Sequence, residues 1–225
     1  KVEKSEKEHL FCDAAFSVTN YPTWRVTRAG NFVVLDALPK SSGFPVVFSN
    51  ELENAYMKYL GAFPGFADAT NALFTVRLFS CRHEAFHQYI SYAAALISIS
   101  PWLNEGYAQY FENEGDVMWS PKEKTPSKED LELGAAVLPE LFYMDYEDFY
   151  AGTPEELSFK YRLAKSIAIF LEKGAPEVRF KPYENLKKDY MSSLRSTRDM
   201  AKATKSAFGS TEKMERFIKD WKEFW

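Results

Sequence analysis

Two neighbouring segments, His83-Glu-Ala-Phe-His87 and Pro101-Trp-Leu-Asn-Glu-Gly-Tyr-Ala-Gln-Tyr-Phe-Glu112, decide how this chain is read. In a helix, residues four apart lie on one face, so the imidazoles of His83 and His87 can reach a single Zn²⁺. Glu84, one step on from the first histidine, is placed to act as general base on a water that such an ion activates. The chain has three histidines, and the remaining one, His9, stands in a charged N-terminal stretch. On its own the HExxH pair is also compatible with two ordinary helix histidines, one buried and one solvated.

Catalytic zinc needs a third protein ligand and an open position. The metzincin arrangement would put Gly at position 90 and His at 93. The chain has Ile90 and Ala93, which excludes it. A glutamate on the following helix is the other common solution, and Glu105 supplies one eighteen residues after His87. The intervening residues, Ile90 to Ser100, suffice to finish one helix, turn, and bring the next helix back against the first. Ser100 and Pro101 suit the start of that second helix, which should end near Gly115. Glu105 alone could equally be a solvated glutamate favoured near a helix start.

Outward from these segments, the N-terminal side reads as strands. Phe16-Ser-Val-Thr, Trp24-Arg-Val-Thr, Phe32-Val-Val-Leu and Val46-Val-Phe are short β-rich runs punctuated by Gly30, Pro39, Gly43 and Pro45. A short helix is expected over Glu51 to Leu60 with Asn50 as its N-cap, followed by one more strand at Ala72-Leu-Phe-Thr-Val. The C-terminal side reads as helices over 78–97, 129–138, 155–173, 182–194 and 211–224, with a polar loop from Trp119 to Lys128. The expected organisation is one domain of two parts, a mixed α/β part over 1–80 and a helical, metal-binding part over 81–225.

Composition narrows the function classes. The 225 residues are 46% hydrophobic and 16% aromatic, which suits a packed globular chain and not a disordered one. The net charge of −4 and a pI of about 5.6 argue against nucleic acid or an anionic membrane as the main partner. The apolar run Tyr92 to Ile97 is too short to span a bilayer. Cys12 and Cys81 are the only cysteines. They exclude a disulfide framework and a cysteine-rich zinc site, and leave open either one bridge or two free thiols. The absence of an initiating methionine leans the reading towards a secreted or cell-envelope protein.

Taken together, HEAFH followed by WLNEGYAQYFE resembles the gluzincin metallopeptidases, and more closely the uncharacterised bacterial gluzincins with a peptidase MA-like domain. The similarity spans about residues 65 to 175. It implies a zincin-like α+β fold, a small mixed sheet packed on the HExxH helix, and hydrolysis of peptide bonds in a peptide or protein substrate. It also implies that His83, His87 and Glu105 ligate Zn²⁺ and that Glu84 is the base. The spacing from His87 to Glu105 is one residue shorter than is usual in the aminopeptidase branch, and the Gly-x-Met-Glu-Asn signature of that branch is absent. Some gluzincins stabilise the oxyanion with a tyrosine that opens an apolar helix; Tyr161, with Ala164 and Phe170-Leu171 beyond it, resembles that context. The same residues could simply form a packed helix face, and Tyr146 and Tyr150 are the fallback donors. Glu112, two turns beyond Glu105, could support one of the ligating histidines or be a surface glutamate. Thr70 to Val76 is the expected edge strand for an extended substrate, and Phe142, Tyr143, Tyr146, Phe149 and Tyr150 the expected apolar pocket. A second function class, a zinc-binding but non-catalytic interaction domain, is compatible with the same motifs.

Overall fold

A computed structural model describes residues 25–29, 31–36, 44–63, 74–77, 82–113, 127–174 and 183–225. Its strands are short. β1 (Arg25–Ala29) pairs antiparallel with β2 (Phe32–Asp36) in a hairpin that sets Ala29 opposite Phe32, and β2 pairs in parallel with β3 (Phe74–Arg77), in the order β1-β2-β3. The remainder is helical: α1 (Phe44–Ala62), α2 (Arg82–Ala93), α3 (Pro101–Asn113), α4 (Lys128–Leu141), α5 (Tyr146–Tyr150), α6 (Pro154–Ile169), α7 (Leu186–Thr197), α8 (Met200–Phe208) and α9 (Thr211–Phe224). A π-helical turn, Phe170–Gly174, extends α6.

The α+β, zincin-like expectation is therefore corrected. Among the described residues helix predominates. The physical reason is visible at Val46-Val-Phe, which lies inside α1. The β-branched preference of these residues is weak beside a 19-residue helix that buries Leu52, Ala55, Tyr56 and Tyr59 along one stripe. Pro45 sits in the first turn of that helix, where a missing N–H costs nothing, and Asn50 is interior rather than a cap. Glu53 of α1 ties the helix to the hairpin, accepting from the Asn31 backbone N–H at 2.5 Å and from its side-chain amide at 3.0 Å. Phe16 to Thr19, residues 70–73, both cysteines and positions 119–126 of the expected polar loop lie outside the described residues. Among the described residues, no helix is long and apolar enough to cross a membrane.

Two helices frame the site. α2 buries Ala85, Phe86, Tyr89, Ile90 and Ala93, the positions that share one helical face. Phe86 packs with Tyr59 and Phe111 at ring centroids 5.4 and 5.2 Å apart, and the Tyr59 hydroxyl donates to the Arg82 carbonyl at 3.0 Å. Each such buried ring contributes about 1.5–3 kcal/mol, so this face fixes how α2 is rotated and hence where His83 and His87 point. α2 ends at Ala93 because Ala95 and Leu96 turn left-handed, at φ 55° and 60°. The chain then enters α3 at Ser100, which is buried and held by the Tyr190 hydroxyl through both its N–H and its Oγ, each at 2.8 Å.

α3 is buried almost all round, as befits a central helix. It meets α6 at Gly106, where a Cβ would stand 2.4 Å from the Ala164 carbonyl oxygen. Only glycine allows this approach, and it sets Tyr161, one turn before Ala164, beside Glu105. Gly106→Ala must push the two helices apart. We expect it to cost about 1–3 kcal/mol, as overpacking typically does, read as a lower midpoint in urea unfolding.

Candidate metal centre

The structure brings His83, His87 and Glu105 together: one ligand atom from each lies within 4.8 Å of the others. Glu105 Oε2 is 3.6 Å from His83 Nε2 and 3.5 Å from His87 Nε2, and the two imidazoles stand edge to face with centroids 4.6 Å apart. Glu105 is 3% exposed, whereas both histidines are half-buried. The donor set is thus open on the histidine side and closed behind the carboxylate.

The far side of each ligand is also held. Asn104 Oδ1 lies 2.8 Å from His87 Nδ1, and the Asn104 amide donates to the Tyr146 hydroxyl at 2.5 Å. With its amide turned to Tyr146, Asn104 presents only an acceptor to His87. In the neutral ring this favours the proton on Nδ1 and leaves the Nε2 lone pair for an ion between it and Glu105. Glu112 Oε2 stands 3.4 Å from His83 Nδ1, a charge contact in which no hydrogen bond is aligned. Glu105 Oε1 accepts from the Tyr150 hydroxyl at 2.7 Å. Two imidazole nitrogens and one carboxylate oxygen, oriented by outer partners and reachable from solvent, are a chemically suitable set for a divalent transition ion.

Glu84 is exposed on the same helix as the two histidines and is not one of the converging ligand atoms. Tyr161 lies between these features. Burial raises its hydroxyl pKa, the Tyr150 hydrogen bond counters this, and Glu105, by charge and hydrogen bond, and Glu84, by charge, raise it further. It therefore remains a protonated donor near both carboxylates. Of the expected pocket aromatics, Phe142 and Phe149 are fully buried, Tyr143 is exposed, and Tyr146 and Tyr150 stack with centroids 5.9 Å apart beside the site. Asn104 is a site residue that the sequence did not single out; its one signal was its place next to Glu105. The part played by Lys160, described below, had no such signal.

The charge balance has a measurable consequence. Burial pulls the His83 pKa down, but the close carboxylates of Glu105 and Glu112 outweigh it and raise the value to about 9. Burial likewise opposes the Glu105 charge, and His83, His87 and Tyr150 more than reverse this, holding its carboxyl well below the usual range. A histidine whose folded pKa is raised stabilises the fold fully below its ordinary value of 6.5, and that contribution is lost as pH rises through about 9. The melting midpoint of chelator-treated protein should therefore fall across this interval. A flat midpoint from pH 6 to 9.5 would show that the contacts of His83 carry no net stability.

No protein-family model, curated protein or solved structure matches this chain.

Proposed function

We propose that this protein is a gluzincin-type metallopeptidase, a zinc-dependent hydrolase of peptide bonds. The observation that carries the reading is the convergence of His83 Nε2, His87 Nε2 and Glu105 Oε2 from two consecutive helices. These three residues would hold the ion. When bound, Zn²⁺ supplies Lewis acidity that polarises a scissile carbonyl and makes water a competent nucleophile near neutral pH.

The chain's own residues supply the rest. Glu84, solvent-accessible next to His83, takes one proton from the attacking water and delivers it to the leaving amine as the C–N bond breaks. Tyr161, kept protonated by its surroundings, donates to the oxygen that becomes negative as the carbonyl turns tetrahedral. Asn104 holds the tautomer of His87. β3, the end strand among the described residues, would offer a backbone edge for an extended peptide.

The test is a peptide-library digest on protein of measured metal content. One equivalent of zinc with chelator-sensitive cleavage supports the reading. One equivalent of zinc with no cleavage under any condition tried would instead favour a non-catalytic zinc-binding interaction domain.

A further inference from the structure

Glu105 could turn either carboxylate oxygen towards the histidines, and something must choose. The choice is made from a short helix that the motif does not contain. α5 is five residues long, too short to persist alone, yet it is pinned at both ends. Asp145 caps its start, accepting from the Asp148 N–H at 2.9 Å. At its end the Lys160 ammonium, on α6, donates to the carbonyls of Asp148, Phe149 and Ala151 at 2.7, 3.2 and 3.0 Å. Between these anchors Phe149 is fully buried, edge-on to Tyr161 with centroids 5.3 Å apart. The next residue, Tyr150, is thereby delivered to Glu105, where its hydroxyl donates to Oε1 at 2.7 Å. Oε2 is left as the oxygen facing both imidazole Nε2 atoms.

We infer that Tyr150 is a positioning residue for the metal-binding carboxylate: its hydroxyl occupies Glu105 Oε1 and so assigns Oε2 to the ion, with Lys160 holding the short helix that carries it. This inference rests on the proposed metal-binding role of Glu105. Tyr150 touches neither the ion nor the reacting atoms in this scheme. Tyr150 is 45% exposed and its ring would remain stacked on Tyr146 without the hydroxyl, so Tyr150→Phe removes the hydroxyl's bonds to Glu105 and Tyr161 and little packing.

The experiment titrates Zn²⁺ against a chromophoric chelator and records the visible spectrum of the Co²⁺-substituted protein, for wild type, Tyr150→Phe and Lys160→Met. Loss of an outer partner of a metal ligand weakens binding by about 10–100-fold. We expect Tyr150→Phe to weaken Zn²⁺ binding within that range and to shift the Co²⁺ bands even at saturation. Lys160→Met should move both readouts in the same direction by less. A Tyr150→Phe protein with wild-type affinity and an unchanged Co²⁺ spectrum overturns the inference while leaving the metal site standing. A wild type that takes up neither ion overturns the metal site and this inference together.

Discussion

Glu84→Gln should abolish peptide hydrolysis and leave zinc content unchanged. The two side chains are nearly the same size, and Glu84 is exposed, so neither folding nor packing is at stake. Glu84 is also not among the three converging ligand atoms, so the donor set is untouched. What the amide lacks is basicity. Removing a positioned general base typically costs about 10²–10⁴-fold in rate, and the loss should appear in kcat rather than KM, because the proton moves only as the bond is made. Digestion of a peptide library followed by mass spectrometry, run beside metal analysis of the same samples, reads both quantities. Turnover retained in Glu84→Gln would assign the base to another residue.

Glu105→Gln should do the opposite, removing the metal and with it everything downstream. Glu105 is the buried member of the set, and its charge is held by His83, His87 and Tyr150 at once. Glutamine can keep some of these hydrogen bonds but offers a neutral oxygen to a divalent ion. The loss of affinity should exceed the roughly 10–100-fold expected for an outer partner, so Glu105→Gln and Tyr150→Phe are ranked by the same titration. The variant also separates metal from fold. Without the Glu105 carboxylate the His83 proton is held less tightly, so the decline in metal-free stability between pH 6.5 and about 9 should be blunted. Zinc bound by Glu105→Gln with wild-type affinity would mean that the carboxylate is not a ligand.

The helical half of the molecule was largely readable from local chemistry. The end helix was expected over 211–224, where Ser210 caps the first turn and Met214, Phe217 and Trp221 form its buried stripe. α6 begins where Thr153, Pro154 and Glu156 make a capping box with proline in the first turn. Two helices went unread. α5 is a single pinned turn whose stability comes from Lys160 and Phe149, neither a local signal. α8 follows α7 after only Arg198 and Asp199; Arg198 adopts a left-handed φ of 57° without being glycine, so no breaker marked the boundary. On the N-terminal side the expected runs at Trp24-Arg-Val-Thr, Phe32-Val-Val-Leu and Ala72-Leu-Phe-Thr-Val do carry strands, whereas Val46-Val-Phe misled for the reverse reason, since its β preference is overridden by helix α1.

At the site, helix periodicity, a local property, was enough to pair His83 with His87, while Glu105 was reached only through the need of a metal for a third ligand on the following helix. The partners behind these ligands were harder to read, because they depend on how distant helices dock. Tyr146, Tyr150 and Tyr161 come from α5 and α6, and only the approach of α3 to α6 at Gly106 and Ala164 places Tyr161 beside Glu105. Tyr150, which sequence offered as a spare oxyanion donor and a pocket aromatic, instead reaches the Glu105 carboxylate.

The most direct test of the account is zinc-edge X-ray absorption on protein saturated with one equivalent of zinc, for wild type and for His87→Ala. The account predicts two imidazole nitrogens and a carboxylate oxygen at about 2.0–2.2 Å, with one imidazole lost in the variant. Failure to bind a stoichiometric ion, or an identical first shell in wild type and His87→Ala, would contradict it.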